Sequence, residues 1–212
     1  VKSNKPNETV GKAAIRLWGK DEELLAETYS EDNGTYRLEI PWEKELVLEA
    51  MKERFSLSRE EFEEQELEAM EGRAHDIEIT SYDDLVEEKE GQTVVKLKDF
   101  YFGNGRTMLT QEIKTELDKV VAFVESFPEV QLRIETYTDS RGGSSTNFRL
   151  TQNRSDAIKQ YLVQKGVPKP NILYSIGYGE DKILNNCTNG VYCLEVLHKR
   201  NQRSLIVVLN DN

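Results

Sequence analysis

Glu135-Thr136-Tyr137-Thr138-Asp139-Ser140-Arg141-Gly142, followed by Asn147, Leu150-Thr151 and Arg154, sets the architecture of the second half of the chain. The apolar run Val130 to Tyr137 predicts a strand with Leu132 and Ile134 on one face. Gly142-Gly143-Ser144-Ser145 turns the chain. An amphipathic helix follows, with Leu150, Ala157, Ile158, Tyr161 and Leu162 on its buried side. Gly166 fits its C′ position, and Pro168 lies just beyond. The strand delivers Asp139 to its carboxyl end, and the helix brings Arg154 in on or near its first turns. Ligands of open α/β sheets sit outside the carboxyl ends of strands. A carboxylate and a guanidinium held there suit a zwitterion: the acid takes an ammonium, and the planar fork takes a carboxylate. Spacing alone leaves a second possibility open, that Asp139 and Arg154 pair only with each other.

Working outward, this domain starts near Gln92. Thr93 to Phe102 reads as a buried strand, and Gly103-Asn104-Gly105 breaks it. Thr110 can cap a helix whose stripe is Ile113, Leu117, Val120, Val121 and Val124, stopped by Pro128. Ile172 to Ile176 and Arg203 to Leu209 supply two more strands. The order is β-α-β-α-β-β, an α/β sandwich with helices on one face of a mixed sheet.

The first part of the chain reads differently. Ala13–Trp18, Leu24–Tyr29, Tyr36–Ile40 and Leu46–Met51 predict strands, three of them by alternation, with an Asp32-Asn33-Gly34 turn. Ile77 and Ile79 suggest a last strand. Residues 1–10 are polar and read as a frayed edge. Short strands with turns suggest a small β-sandwich over 1–80, followed by an acidic linker at 81–91. The glutamate-rich Arg59–Glu71 reads as a solvated helix or loop face; no D-x-D-x-D-G loop marks it for calcium. The fold class is therefore α+β in two domains.

Charge divides the chain at the same place. Residues 1–91 carry 26 acidic and 12 basic side chains, while 92–212 carry 13 and 16, within a total of -11. No dense Lys/Arg stripe points to nucleic acid. No run approaches the ~20 apolar residues of a membrane span. The two histidines, His75 and His198, stand apart, so no zinc-ligand spacing forms and no metal or cofactor is expected. Neither histidine nor a cysteine lies near Asp139 in sequence, which argues against an enzyme. Cys187 and Cys193 flank a short loop and read either as a disulfide or as two thiols.

The run Thr138-Asp139-Ser140-Arg141-Gly142 with Asn147, Leu150, Thr151 and Arg154 resembles the signature of the OmpA-like peptidoglycan-binding domain, TD-x-x-G with N-x-x-L-S-x-x-R-A. Gly177-Tyr178-Gly179-Glu180 matches that family's GYGE, and Asn201-Gln202-Arg203 resembles its NRR. The resemblance implies noncatalytic binding of meso-diaminopimelate in the peptidoglycan stem peptide. Asp139 would take the ammonium and Arg154 a carboxylate. Asn147 and Thr138 would add polar contacts, Leu150 would floor the pocket, and amides at the start of the helix would favour the carboxylate. Arg141 is expected to be a peripheral, exposed turn residue. Tyr178 and Glu180 are expected to be structural, and Arg203 an edge ion-pair partner.

The sequence departs from the family at Tyr137, Thr151 and Ser155. Gly103 and Gly105 stand where acidic residues are common, so that side of the pocket offers only backbone amides. This keeps a second reading, a protein-interaction module with a weakened wall site. Glu31-Asp32-Asn33-Gly34-Thr35-Tyr36-Arg37-Leu38 resembles the D-x-x-G-x-Y-x-F of carboxypeptidase regulatory-like, transthyretin-type modules, which act as spacers or docking surfaces. Together the resemblances imply a fragment of an exported Gram-negative envelope protein, periplasmic and associated with the outer membrane. They suit the OmpA-family lipoproteins, including secretion-linked ones, whose partners would dock on the first module. Export favours the Cys187–Cys193 disulfide.

Overall fold

A computed structural model describes residues 1–41, 45–70 and 73–210, with the side chains of 69 and 70 left aside. The chain divides into two compact units, 1–84 and 85–212.

In the first unit, β1 (Lys2–Ser3) comes first in the chain. The main layer is β2 (Ala14–Trp18), β3 (Leu24–Tyr29), β4 (Glu45–Met51) and β5 (Ser58–Glu63). They form one antiparallel sheet in the order β3-β2-β4-β5. Alternation puts Ile15, Leu17, Leu46, Leu48 and Ala50 on the core face, each nearly sealed from water. The helix α1 (Glu64–Met70) follows β5 directly, and β6 (Glu78–Ile79) pairs in parallel with β1.

Several expectations change here. Residues 1–10 are not frayed: Val1 and Val10 are core residues, packed with Ile77 and Ile79. Tyr36–Ile40 forms no strand; its alternation survives as half-buried Tyr36 and Leu38, but no strand among the described residues takes its hydrogen bonds. The glutamate-rich stretch contributes β5, because Arg59 faces Glu49 across the ladder and half-buried Phe62 turns to the core. Glu71 lies outside the described residues. Among the described residues, the four-stranded sheet is joined in this unit by the two-stranded β1-β6 pair and irregular chain, not by a second sheet of matching size.

The expected linker is structured. The short helix α2 (Tyr82–Leu85) runs straight into β7 (Val86–Lys89), and β8 (Gln92–Val95) returns antiparallel. Glu90 and Gly91, both at positive φ (54° and 72°), make the two-residue turn between them. Strand β8 stops at Val95, short of Phe102, although Phe100 and Phe102 remain buried.

The remaining elements are α3 (Gln111–Ser126), β9 (Leu132–Tyr137), α4 (Ser144–Gln164), β10 (Ile172–Gly179), α5 (Glu195–Asn201) and β11 (Arg203–Val208). The Thr110 side chain caps α3 by accepting from Ile113 N–H. Helix α4 ends in a Schellman motif: Val167 N–H bonds Leu162 O, Gly166 N–H bonds Val163 O, and Gly166 sits at φ 108°. The five-stranded mixed sheet runs β10-β9-β11-β8-β7, with only β10 and β9 parallel. The order thus gains a leading hairpin strand and a short helix over the expected β-α-β-α-β-β.

Helices α3 and α4 cover the face carrying Leu132 and Ile134. The other face holds Tyr137, Val94, Leu205 and Val207. Tyr137 stacks on Tyr178 with ring centres 5.0 Å apart, and the Arg203 guanidinium lies 4.0 Å from the Tyr137 ring centre. Arg203 also pairs with Glu90 on the β7–β8 turn.

Candidate functional site

The site is built from the end of β9, the turn after it and the middle of α4. The glycines of Gly177-Tyr178-Gly179 set its dimensions. A Cβ on Gly177 would stand 2.0 Å from Gln152 N, so α4 and β10 meet backbone to backbone. Thr151 then accepts a hydrogen bond from Gly179 N–H at 2.8 Å. Its hydroxyl is therefore not a helix cap; α4 starts seven residues earlier, at Ser144, with Gly143 in the N-cap position.

That start displaces Arg154 from its expected place. Arg154 lies ten residues into α4, about 15 Å along the axis. The amides of the first turn are too far away to act with it. Arg154 is 3% exposed. Its Nε donates to Arg106 O at 2.9 Å and its Nη2 to Gly103 O at 3.1 Å, and the guanidinium lies over Phe102. The Gly103–Gly105 turn therefore presents carbonyls, not amides, to the site. Among the described residues no carboxylate pairs with Arg154. Burial lowers its pKa to about 10, against the upward pull of Asp139.

Asp139 is equally buried, at 3%. It does not pair with Arg154. Its Oδ1 accepts from Arg141 N–H at 2.9 Å and Arg141 Nε at 3.1 Å; its Oδ2 accepts from Arg141 Nη2 at 2.8 Å and from the Gln202 side chain. Burial pushes the Asp139 carboxyl up, but the bonds from Arg141 and Gln202 outweigh it and hold the group below the usual carboxylate value. Arg141 is thus the ion-pair partner of Asp139, not peripheral. Its half-exposed guanidinium is anchored on its far side by Glu195 of α5, at 2.7 Å.

Asn147 is buried and ties the turn together, donating to Asp139 O, Arg141 O and the Glu180 carboxylate. Thr138 is buried, and its N–H bonds Gly179 O. Leu150 is half-buried, one turn before Arg154. A cavity of about 10 Å³, room for one water, touches Arg154, Phe102 and Gln202. Cys187 and Cys193 are joined, with Cα atoms 5.8 Å apart. Ser140 Oγ donates to Cys187 O, which docks the disulfide loop beside Asp139.

Of the residues brought to Asp139, Glu195 was not singled out by motif reading, Arg141 was read as peripheral, and Gln202 was read only as part of the Asn201-Gln202-Arg203 run. The signal for Arg141 was its position two residues after an aspartate at a turn, where the carboxylate bonds the i+2 amide. Glu195 joins the site through the placement of α5, and Gln202 follows directly after that helix.

Residues 101–191 match the OmpA family. The C-terminal unit is OmpA-like. Over 82 residues the chain is 38% identical to the peptidoglycan-associated lipoprotein of Haemophilus influenzae, covering 39% of this chain and 53% of that one. Over 147 residues it is 27% identical to that of Buchnera aphidicola, covering 69% of this chain and 78% of the relative. The chain therefore spans only about half the length of the first of these relatives. A crystal structure of the peptidoglycan-associated lipoprotein from Burkholderia pseudomallei aligns with TM-score 0.47 at 22% identity, over 53% of this chain and 90% of that one. No helix among the described residues is long and apolar enough to cross a membrane.

Proposed function

We propose that the C-terminal unit binds peptidoglycan noncovalently, through meso-diaminopimelate of the stem peptide, and tethers an outer-membrane-associated assembly to the wall. The observation that carries this reading is a buried guanidinium without a carboxylate partner, in the electrostatic reach of a carboxylate already gripped by a cation. A buried charge gains most from a charge-assisted partner. Arg154 takes a ligand carboxylate, and Asp139 takes the ammonium. Arg141 and Gln202 donate to the Asp139 oxygens that the ammonium would use, so binding requires the half-exposed Arg141 to swing aside. Asn147 and Thr138 hold the turn, and Leu150 lies against the ligand's methylene chain. The unit is a binder and not an enzyme: the Ser140 hydroxyl is spent on Cys187 O, and Asp139 is held below the range of a general acid at neutral pH. The acidic first unit serves as spacer or docking module for envelope partners.

The test is calorimetric titration with two stem tripeptides, one with meso-diaminopimelate and one with lysine, which lacks the second carboxylate. The diaminopimelate peptide binds at least about tenfold more tightly, a difference of about 1.4 kcal/mol. Asp139→Asn abolishes its binding. Equal affinity for both peptides, or binding indifferent to Asp139→Asn, overturns the reading. A protein-interaction module with a weakened site then becomes the better account, favoured by the burial of both charged side chains and by Gly103 and Gly105.

A further inference from the structure

Beside Asp139, the disulfide loop and the start of α5 enclose a hollow of about 290 Å³, lined in part by Arg141, Thr188, Asn189, Tyr192, Glu195 and His198. It is smaller than the roughly 300–1,000 Å³ of pockets for drug-sized ligands, which leaves room for a single ring. Two of its features are unexplained by folding. Tyr192 is 90% exposed at the loop tip, although a large aromatic ring gains from burial. His198 is only 6% exposed, yet its Nδ1 has no hydrogen-bond partner among the described residues. A buried polar atom without a partner is unfavourable, and because this Nδ1 is closed off from solvent, a ligand hydroxyl or amide in the hollow reaches it when the imidazole turns.

The loop is held in place for this. Cys187 is buried, its N–H bonds Asn185 Oδ1, and its carbonyl accepts from Ser140. The Cys187–Cys193 bond closes the remaining residues into a small ring. An aromatic face beside an imidazole, an amide, a hydroxyl and a carboxylate is the chemistry that holds a polyhydroxylated ring. The ring's C–H face lies on the tyrosine, and its hydroxyls meet the polar groups. Arg141 belongs to both this hollow and the Asp139 site, so the two are contiguous.

We propose that this hollow is a second subsite, which takes a pyranose ring of the wall glycan while the Asp139–Arg154 site takes the stem peptide. The subsite's role beside the stem peptide rests on the proposed function; its affinity for a sugar does not. Three ligands separate the two: the stem tripeptide alone, the same peptide carrying its disaccharide, and a soluble N-acetylglucosamine oligomer. The disaccharide raises affinity about tenfold over the bare peptide in the unaltered chain. Tyr192→Ala, at an exposed position, removes that gain and leaves binding of the bare peptide unchanged. The oligomer alone shifts the His198 imidazole resonances in NMR spectra, and Tyr192→Ala weakens that shift.

If the disaccharide adds nothing, or if Tyr192→Ala weakens both peptides equally, the subsite is overturned while the stem-peptide site stands. If the bare peptide does not bind but the oligomer still shifts His198, the subsite stands and the stem-peptide reading falls. Silence of the His198 resonances toward the oligomer and the disaccharide peptide overturns the subsite outright.

Discussion

Gly177→Ala tests the closest approach in the C-terminal unit. The new Cβ would stand 2.0 Å from Gln152 N, 2.4 Å from Thr151 C and 2.5 Å from Gln152 Cα, all backbone. Ordinary contact begins near 3.4 Å, so α4 must withdraw from β10 by about 1.4 Å. No rotamer change relieves this, because the obstructing atoms are main chain. Overpacking of this kind costs about 1–3 kcal/mol, sometimes more. Withdrawal also stretches two bonds that cross the interface, Gly177 N–H to Gln152 Oε1 and Gly179 N–H to Thr151 Oγ1. Each is worth about 1 kcal/mol. The expected loss is therefore at least about 3 kcal/mol.

The assay is urea unfolding followed by ellipticity at 222 nm, a signal dominated by α3 and α4, of 16 and 21 residues. With a slope of about 1.5 kcal/mol/M, the midpoint falls by about 2 M. Gly166→Ala is the comparison. Its φ is 108°, but nothing lies within 4 Å of the added Cβ, so it costs only the backbone strain, about 1 kcal/mol. A Gly177→Ala midpoint within about 0.3 M of the unaltered chain, or no lower than that of Gly166→Ala, refutes the argument that α4 and β10 touch through their backbones.

Two further outcomes follow from bonds in the same unit. Thr151→Val keeps the shape of the side chain but leaves Gly179 N–H buried without an acceptor; a loss of about 1–3 kcal/mol is expected in the same urea assay, and a loss below about 0.5 kcal/mol counts against the bond. Asp139 has a folded-state pKa below its ordinary value of 3.8, so its stabilisation is full above that value and disappears as pH falls through the folded value. Asp139→Asn should therefore flatten the acid limb of stability against pH, and an acid limb as steep as before would show that the Arg141 and Gln202 bonds contribute nothing.

The parts of the fold that could be read in the sequence are those where local pattern and tertiary partner agree. Ile15 and Leu17, then Leu46, Leu48 and Ala50, alternate because one face of each strand is buried, and those strands form where expected. The stripe of α3, the Thr110 cap and the Gly166 terminus are likewise local. What escaped depends on distant partners. Val1 and Val10 are isolated apolar residues that meet Ile77 and Ile79 only in the core. Ser58–Glu63 is a strand because β4 lies beside it, despite a composition that suggests a solvated surface. Tyr36–Ile40 has the strand pattern and, among the described residues, no strand to pair with. At the site, the types and positions of Asp139 and Arg154 were legible, but their pairing was not. Arg141, two residues from Asp139, reaches it before any residue on α4 can, and Arg154 is drawn instead to the carbonyls of the Gly103–Arg106 turn.

The placement of β11 between β9 and β8 has a consequence for synthesis. A growing chain that has reached residue 200 already holds every other strand of the C-terminal sheet, but in two halves, β10-β9 and β7-β8. Each half exposes an unsatisfied row of amides and carbonyls along the side where β11 will insert. Neither can be sealed by the other without excluding the final strand. The sheet is therefore complete only once β11 is in place, and until then the two halves present unpaired edges open to misassociation.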